Sequence, residues 1–474
     1  MGFGSIRGER VLTLWAEQTE CLWDEALPIE VRELPADLAA LDALLCDPEL
    51  GRVFVARWQS EVEVTGRRVI DEGRPTIAME TYVRLMVLKT RNGWGYRVLV
   101  AEVSDSIHLR RFCRISLVDR VPDESTVRKL TRRIGAETVE ELSRALIEGA
   151  VRERRFRPRA VRIDSTVVEA DVKYPTDAGL ASNGVRALAR EGRKVAGLAR
   201  EKKLRVRDRS RSMGRTLRAV TRTIRRRSGE AKSEVLKLTE QTGRLLEKSV
   251  KEARALAALT RRRARGRGAS GKLRAAERLK ELADRCEKVT GQIRQRVAGE
   301  AIKDRLVSLA DPDARPIRKG KLGKPNEFGY VAQIAEVTEH TRAGARGLII
   351  PAATRLGNPA QDTMLPDTIT ELTRLGINVK EVALDGGFNV GPTHDALDAM
   401  NPERVFISGR QQPGSTRTQR RLQRYRTGCE GRISHLKRGY GLNRSRLKGD
   451  EGRQIWTGWT ILTYNADTLA IRAR

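Results

Sequence analysis

Cysteine and histidine are both scarce in this chain, and each shortage argues against a class of protein. The five cysteines, Cys21, Cys46, Cys113, Cys286 and Cys429, are odd in number and scattered, with no CxxC pair. That pattern speaks against a disulfide framework and against a zinc ribbon. The four histidines include no HxxxH pair, so a histidine-based metal site is not expected. No uninterrupted apolar run approaches the roughly 18 residues of a membrane helix. The opening MGFGSIRGER also lacks the apolar segment of a secretory signal. Walker-type loops are missing, and the one GxGxxG match, Gly266 to Gly271, falls between two helical stretches and not after a strand, which argues against a nucleotide cofactor and an ATP-driven reaction. Aromatic residues contribute only 4% of the total. A reducing, cytoplasmic setting without a membrane fits these absences.

What the chain has in excess is positive charge. Lys and Arg number 92 against 61 Asp and Glu, a formal net charge of +31. A surplus of that size favours a polyanionic partner and steep salt dependence of binding. At 474 residues the chain is long enough for two or three domains, each with its own core.

Periodicity divides the chain into four stretches. Residues 1–150 read as helical, with a break at Gly93-Trp94-Gly95 between two apolar-periodic segments. In PDESTVRKLTRRIG, Ser125 or Thr126 is placed to cap a helix carrying Arg128, Lys129, Arg132 and Arg133. This suits a helix-turn-helix-like DNA-binding unit, and equally a solvated basic face on an ordinary bundle. Residues 151–177 contain Val161, Ile163, Val167 and Val168 around Asp164, a buried strand expected to end in a carboxylate. Residues 178–305 return to helix with a heavy basic load. Between Glu201 and Glu230 stand 12 Lys or Arg against 3 acids, including Arg225, Arg226 and Arg227. Two apolar stripes, Val235 to Leu256 and Leu273 to Val289, flank an Arg/Gly break and predict a helical hairpin. From 306 to 474 strands and helices alternate, implying an α/β layer with partly parallel pairing. The last segment, GWTILTYNADTLAIR, reads as an apolar helix closing that core.

Three acids stand out. Asp164 lies in RIDSTVVEAD, Asp385 follows the apolar run of EVALDGGF, and Glu430 sits in RTGCEGRISHLK on an expected helix. Carboxylates at the ends of neighbouring parallel strands converge at the open edge of a sheet. Hard oxygen ligands in that arrangement suit two divalent cations for phosphodiester cleavage. Taken singly, each acid has a plainer reading: Asp164 as a turn or cap, Arg426 and Glu430 as an i,i+4 surface ion pair. Glu169, Asp171 and Asp177 read as outer groups of the site or as solvated loop carboxylates. His435 reads as structural or phosphate-facing, and Lys319, Lys321 and Lys324 could bind a backbone beside a Gly-rich turn.

In combination these motifs resemble the RNase H-like DDE transposases of bacterial insertion sequences, most closely the ISNCY group. IDSTVVEADVKYPTDAGL is similar to the first Asp motif, LDGGF to the second, and Arg426-x3-Glu430-x6-Lys437 to the signature of the third acid. KGKLGKPNEFG, GNPAQDTMLP and the N-terminal run through PDESTVRKLTRRIG are similar to further family blocks. Two departures stand beside the likeness. Gln423 occupies a position often held by Tyr, with Tyr425 nearby. The large insert falls between the first and second acids, whereas many relatives carry theirs between the second and third.

The resemblance implies an α/β fold with an RNase H-like catalytic core and a helical N-terminal domain. It does not cover the basic helical insertion, which is read from the residues and expected to be an arm that grips DNA or the partner subunit. It implies that Asp164, Asp385 and Glu430 are catalytic and hold two Mg2+ (or Mn2+) ions. Arg426 and Lys437 would contact DNA. Arg128, Lys129, Arg132, Arg133, Arg225, Arg226 and Arg227 join them as DNA-binding candidates from charge alone. The expected activity is cleavage at terminal inverted repeats and strand transfer to target DNA, by a homodimer or larger assembly on the nucleoid. A non-catalytic DNA-binding relative and a nuclease without strand transfer are the alternatives.

Overall fold

The computed structural model describes residues 12–16, 26–65, 76–226, 228–321, 324–410 and 414–473. In chain order the helices before the first strand are α1 (Ile29–Arg32), α2 (Ala36–Leu45), α3 (Pro48–Thr65), α4 (Met79–Arg91), α5 (Tyr96–Asp105), α6 (Ile107–Phe112) and α7 (Glu124–Arg152). Strand β1 (Ala160–Ala170) is followed by α8 (Asp177–Ala199), α9 (Ser210–Ile224), α10 (Gly229–Arg262) and α11 (Ala269–Val297). Then come β2 (Arg315–Lys321), β3 (Lys324–Thr338), β4 (Leu348–Ile349), β5 (Thr354–Leu356), α12 (Leu365–Arg374), β6 (Glu381–Leu384) and α13 (Val390–Leu397). The chain ends with β7 (Arg404–Ile407), α14 (Thr416–Gly439), β8 (Arg444–Ser445) and α15 (Gly449–Ala473). It divides into two compact units, Met1–Glu169 with Tyr330–Arg474, and Ala170–Gly329.

In the first unit, helices and sheet share a large apolar core that runs from Leu38 to Ala470. The Gly93 break falls between α4 and α5, where Gly93 adopts φ 66° and lets the chain reverse. The cap of α7 is Asp123, not Ser125 or Thr126 as the sequence suggests. Asp123 follows Pro122 in extended backbone, and its carboxylate accepts from the Ser125 and Thr126 N–H groups at 2.8 and 3.0 Å. Gly135, at φ 79°, breaks α7 into two segments. Helix α15 is buried almost continuously from Gly452 to Ala470, as expected of a helix apolar on every side. It packs against α7, α2 and α4.

The sheet of this unit is mixed, in the order β3-β1-β6-β7, with β4 and β5 on β3 and β8 on β1. Strands β1, β6 and β7 are parallel, while β4 and β5 run antiparallel to β3. Fold class is therefore α/β with a helical N-terminal region. Strand β1 does not end at Asp164. Its pairing with β6 stops at Ile163, but β8 takes over farther along, and the Glu169 N–H donates to the Asn443 carbonyl at 3.0 Å. The strand thus keeps a partner as far as Ala170.

The second unit is built on α8, α9, α10 and α11. Helices α10 and α11 run antiparallel: Arg254 meets Glu287 at 2.6 Å, and Arg294 meets Glu247 at 2.6 Å nearer the other end. Leu246, Val250 and Leu256 pack with Leu279, Cys286 and Val289, the two stripes visible in the sequence. A strand hairpin, β2 with the first part of β3, completes the unit. Asp177 belongs here, and it is no solvated loop carboxylate. It opens α8, is buried, and pairs with Arg296 and, at 3.0 Å, with Arg305.

Candidate active site

Strand register brings the first two acids together. Ala160 to Ile163 of β1 pair in parallel with Glu381 to Leu384 of β6. Asp164 and Asp385 are the next residue on each side of the last pair, Ile163 with Leu384. Asp164 is buried and its carboxylate accepts from the Ser165 N–H at 2.7 Å. Asp385 stands where β6 gives way to a turn, partly open to solvent.

The third acid arrives on α14. Ser415 caps this helix by accepting from the Thr418 N–H, and Leu422, Tyr425, Arg426, Cys429 and Leu436 form its buried face. Arg426 links the acids: its Nη1 lies 3.0 Å from Asp385 Oδ1 and 2.8 Å from Glu430 Oε1. Those two carboxylate oxygens are therefore separated by no more than the two bonds laid end to end. Glu430 is exposed, whereas Arg426 is nearly buried. The Cys429 thiol is pushed well up by burial, with the Asp164 and Glu336 carboxylates adding to the effect. The turn that carries Glu430 thus lies beside Asp164.

A buried charge network fixes that docking. Arg162, two residues before Asp164, donates to Glu336 Oε2 through Nε (2.9 Å) and Nη2 (2.7 Å). It also donates to the Tyr425 carbonyl at 3.0 Å and the Ala345 carbonyl at 2.9 Å. The second oxygen of Glu336 accepts from Arg432 Nε at 3.0 Å and from the Gly347 N–H at 2.9 Å. One carboxylate with no exposed surface thereby ties β1, β3 and α14 together. Gly428 permits the approach, because a Cβ there would stand 2.0 Å from Arg162 Nη1. Sequence reasoning passed over Arg162 and Glu336. The available signal was an arginine and a glutamate each set between apolar neighbours, Val161-Arg162-Ile163 and Ala335-Glu336-Val337.

The donor set suits a hard divalent cation in its chemistry: three carboxylates, with the neighbouring thiol held protonated. Among the described residues, however, no three acidic, histidine or cysteine side chains are gathered closely enough to ligate one ion. The positive charge seen between Asp385 and Glu430 is the Arg426 guanidinium. A cation there would displace or share that guanidinium.

Other candidates are spread out. Arg128, Lys129 and Arg132 are exposed on the first segment of α7. Arg133 is occupied, pairing with Glu61 at 3.3 Å and lying 4.8 Å over the Trp58 ring. In the second unit, Arg225 is exposed at the end of α9 and Arg226 pairs with Glu234 at 3.3 Å. Arg227 and the side chains of Lys319, Lys321 and Lys324 lie outside the described residues. Glu169 pairs with Arg444 at 3.3 Å. The His435 ring packs on Tyr440 and Tyr464, and burial beside Arg432 lowers its pKa.

Lys437 lines a cleft of about 440 Å3 in the first unit. Lys89, Arg444 and Arg446 line it too, with Trp94, Tyr96 and Trp456, and no acid contributes. Lys89 is buried there, 4.9 Å over Tyr96 and 4.6 Å over Trp456. Burial, aided by Arg446, pulls its pKa down to about 8.

Residues 49–133, which run from α3 into α7, match the family described as a transposase domain (DUF772). An uncharacterised protein, ORF8 in the nfe locus of Rhizobium meliloti, is 28% identical over 162 residues, covering 32% of this chain and 78% of that protein. No solved structure matches the chain. The domain match supports an insertion-sequence transposase. Among the described residues no helix is long and apolar enough to cross a membrane.

Proposed function

We propose that this chain is a DDE-type DNA transposase with an RNase H-like core, of the ISNCY-like group. The observation that carries the reading is the parallel register of β1 and β6. It sets Asp164 and Asp385 side by side, with Glu430 joined to Asp385 through Arg426. Asp164, Asp385 and Glu430 would hold two Mg2+ or Mn2+ ions. When bound, such ions lower the pKa of an attacking water or 3′-hydroxyl and stabilise the leaving oxygen.

The chain's own residues do the positioning. Glu336, through Arg162 and Arg432, holds the helix that presents Glu430 against the strand that presents Asp164. Arg426 balances the negative charge of Asp385 and Glu430, and it would turn to a phosphate once cations take its place. Lys437, seven residues beyond Glu430 on the same helix, would contact the DNA backbone near the scissile bond. Arg128, Lys129 and Arg132 would bind the element's ends, and two copies of the chain would cut and join two ends in one assembly. Its DNA would be the terminal inverted repeats and a target on the nucleoid.

The Arg426 bridge also favours a second reading, a DNA-binding relative that no longer cuts, because a guanidinium occupies the place between two of the ligands. One experiment separates the two. Labelled end DNA is incubated with Mg2+ or Mn2+ and wild type, Asp164→Asn, Asp385→Asn or Glu430→Gln. Cleavage by wild type that disappears in all three variants, with DNA binding retained, supports the transposase. Binding without cleavage in either metal supports the second reading, and cleavage without joined products on a plasmid target makes the chain a nuclease.

A further inference from the structure

Helix α9 carries a row of four arginines. Arg211, Arg215, Arg218 and Arg222 recur at i, i+4, i+7 and i+11, which sets them on one helical face. All four are exposed, while Met213, Val220 and Thr223 form the opposite, buried face. No acid occurs anywhere from Ser210 to Arg226. None of the four has an acidic partner among the described residues. Several arginines on α10 and α11 differ from these: Arg244 pairs with Glu240 at 2.7 Å, Arg254 with Glu287 at 2.6 Å and Arg294 with Glu247 at 2.6 Å. Those neutralise one another, whereas the α9 row projects uncompensated charge. Like charges at i,i+4 repel and weaken a helix, so the row is held in place by the rest of the unit. Arg209, just before the helix, grips Glu252 of α10 through two nitrogens at 2.8 and 2.6 Å.

We infer that this arginine row is a docking surface for the phosphate backbone of duplex DNA, read without regard to sequence. The row spans about 16 Å of helix axis at 1.5 Å per residue, enough to face several phosphates of a polymer with one charge per about 1.7 Å. Apart from Ile224 at its end, the exposed face bears no large apolar or aromatic side chain. It therefore offers no platform for stacking unpaired bases and no apolar anchor of the kind protein partners use. Arginine rather than lysine throughout suits bidentate contact with phosphate oxygens. The inference rests on the proposed function for its polymer, and gives it a second point of contact in the Ala170–Gly329 unit.

The test uses the full chain and a duplex of random sequence, with binding followed by fluorescence anisotropy from about 50 to 200 mM salt. Compared with wild type are Arg211→Gln/Arg215→Gln/Arg218→Gln/Arg222→Gln and the same four positions changed to Lys. Both keep helix-favouring residues at exposed positions, and circular dichroism verifies folding. The dependence of log K on log salt should flatten by about 0.9 for each phosphate no longer neutralised, up to about 3.6 in the glutamine variant. The lysine variant should stay near wild type. An unchanged slope in the glutamine variant overturns the inference, as does a loss confined to duplex RNA, to single strands or to an acidic peptide. If wild type cleaves end DNA while the slope is unmoved, the arginine row falls and the transposase reading stands. If the slope flattens but Asp164→Asn cuts as wild type does, the reverse holds.

Discussion

Replacing Gly428 by alanine adds a single methyl group, yet the structure makes it one of the most damaging small changes available. That methyl would stand 2.0 Å from Arg162 Nη1 and 2.9 Å from its Cζ. The end of a long side chain often swings away, but this one is held by Glu336, the Tyr425 carbonyl and the Ala345 carbonyl. Either α14 lifts off β1 or the guanidinium abandons part of its buried partnership. Leaving one member of a buried ion pair uncompensated costs about 3–5 kcal/mol. Alanine returns about 1 kcal/mol through its better helix propensity, so the net loss should be about 2–4 kcal/mol. Urea titration reads this as a lower midpoint at unchanged slope. The same substitution in an Arg162→Lys background should be neutral or slightly stabilising, because lysine retains a charge for Glu336 and has no Nη1. A Gly428→Ala protein as stable as wild type would refute the reasoning, and so would an equal loss in both backgrounds.

Lys89 provides a pH test. Its folded pKa near 8 lies below the ordinary lysine value, so between the two the unfolded chain keeps a proton that the folded chain has shed. Stability should therefore rise with pH across that window by up to about 3 kcal/mol, and Lys89→Met should remove the rise; equal pH profiles for both proteins would count against it. Asp123→Ala should lower stability by about 1 kcal/mol by removing the α7 cap, checked by thermal melting. Hydrogen bonds from Ser125 and Thr126 hold the Asp123 carboxyl well below the usual range, so its contribution is complete above that range and fades as the pH falls through it. The difference between wild type and Asp123→Ala should shrink in acid.

Much of the architecture can be read from apolar periodicity. The paired stripes of α10 and α11, the break at Gly93 and the strands around Val161 and Val382 all follow from one-dimensional patterns. Asp164 and Asp385 could be singled out because each follows a β-branched or apolar run, which is a local signal. What remained hidden depends on pairing at a distance. That β1 continues past Asp164 is decided by β8, far along the chain. Strand β2, RPIRKGK, is basic without alternation and gives no strand signature. The Arg162–Glu336–Arg432 network joins residues 162, 336 and 432, and no spacing rule links them. Arg426 could be recognised as a companion of Glu430 from i,i+4 spacing, but its simultaneous hold on Asp385 is a property of the folded helix alone.

The route by which Glu430 reaches its neighbours has a consequence for the life of the protein. Asp164 and Asp385 are in place as soon as β6 zips beside β1, while Glu430 follows only when α14 docks on Glu336. A nascent chain emerges from the ribosome with two of its acids and the basic second unit before the third. Whatever needs all three carboxylates is switched on by one of the last helices to be made. On the function proposed above, half-built copies would bind DNA without being equipped to cut it.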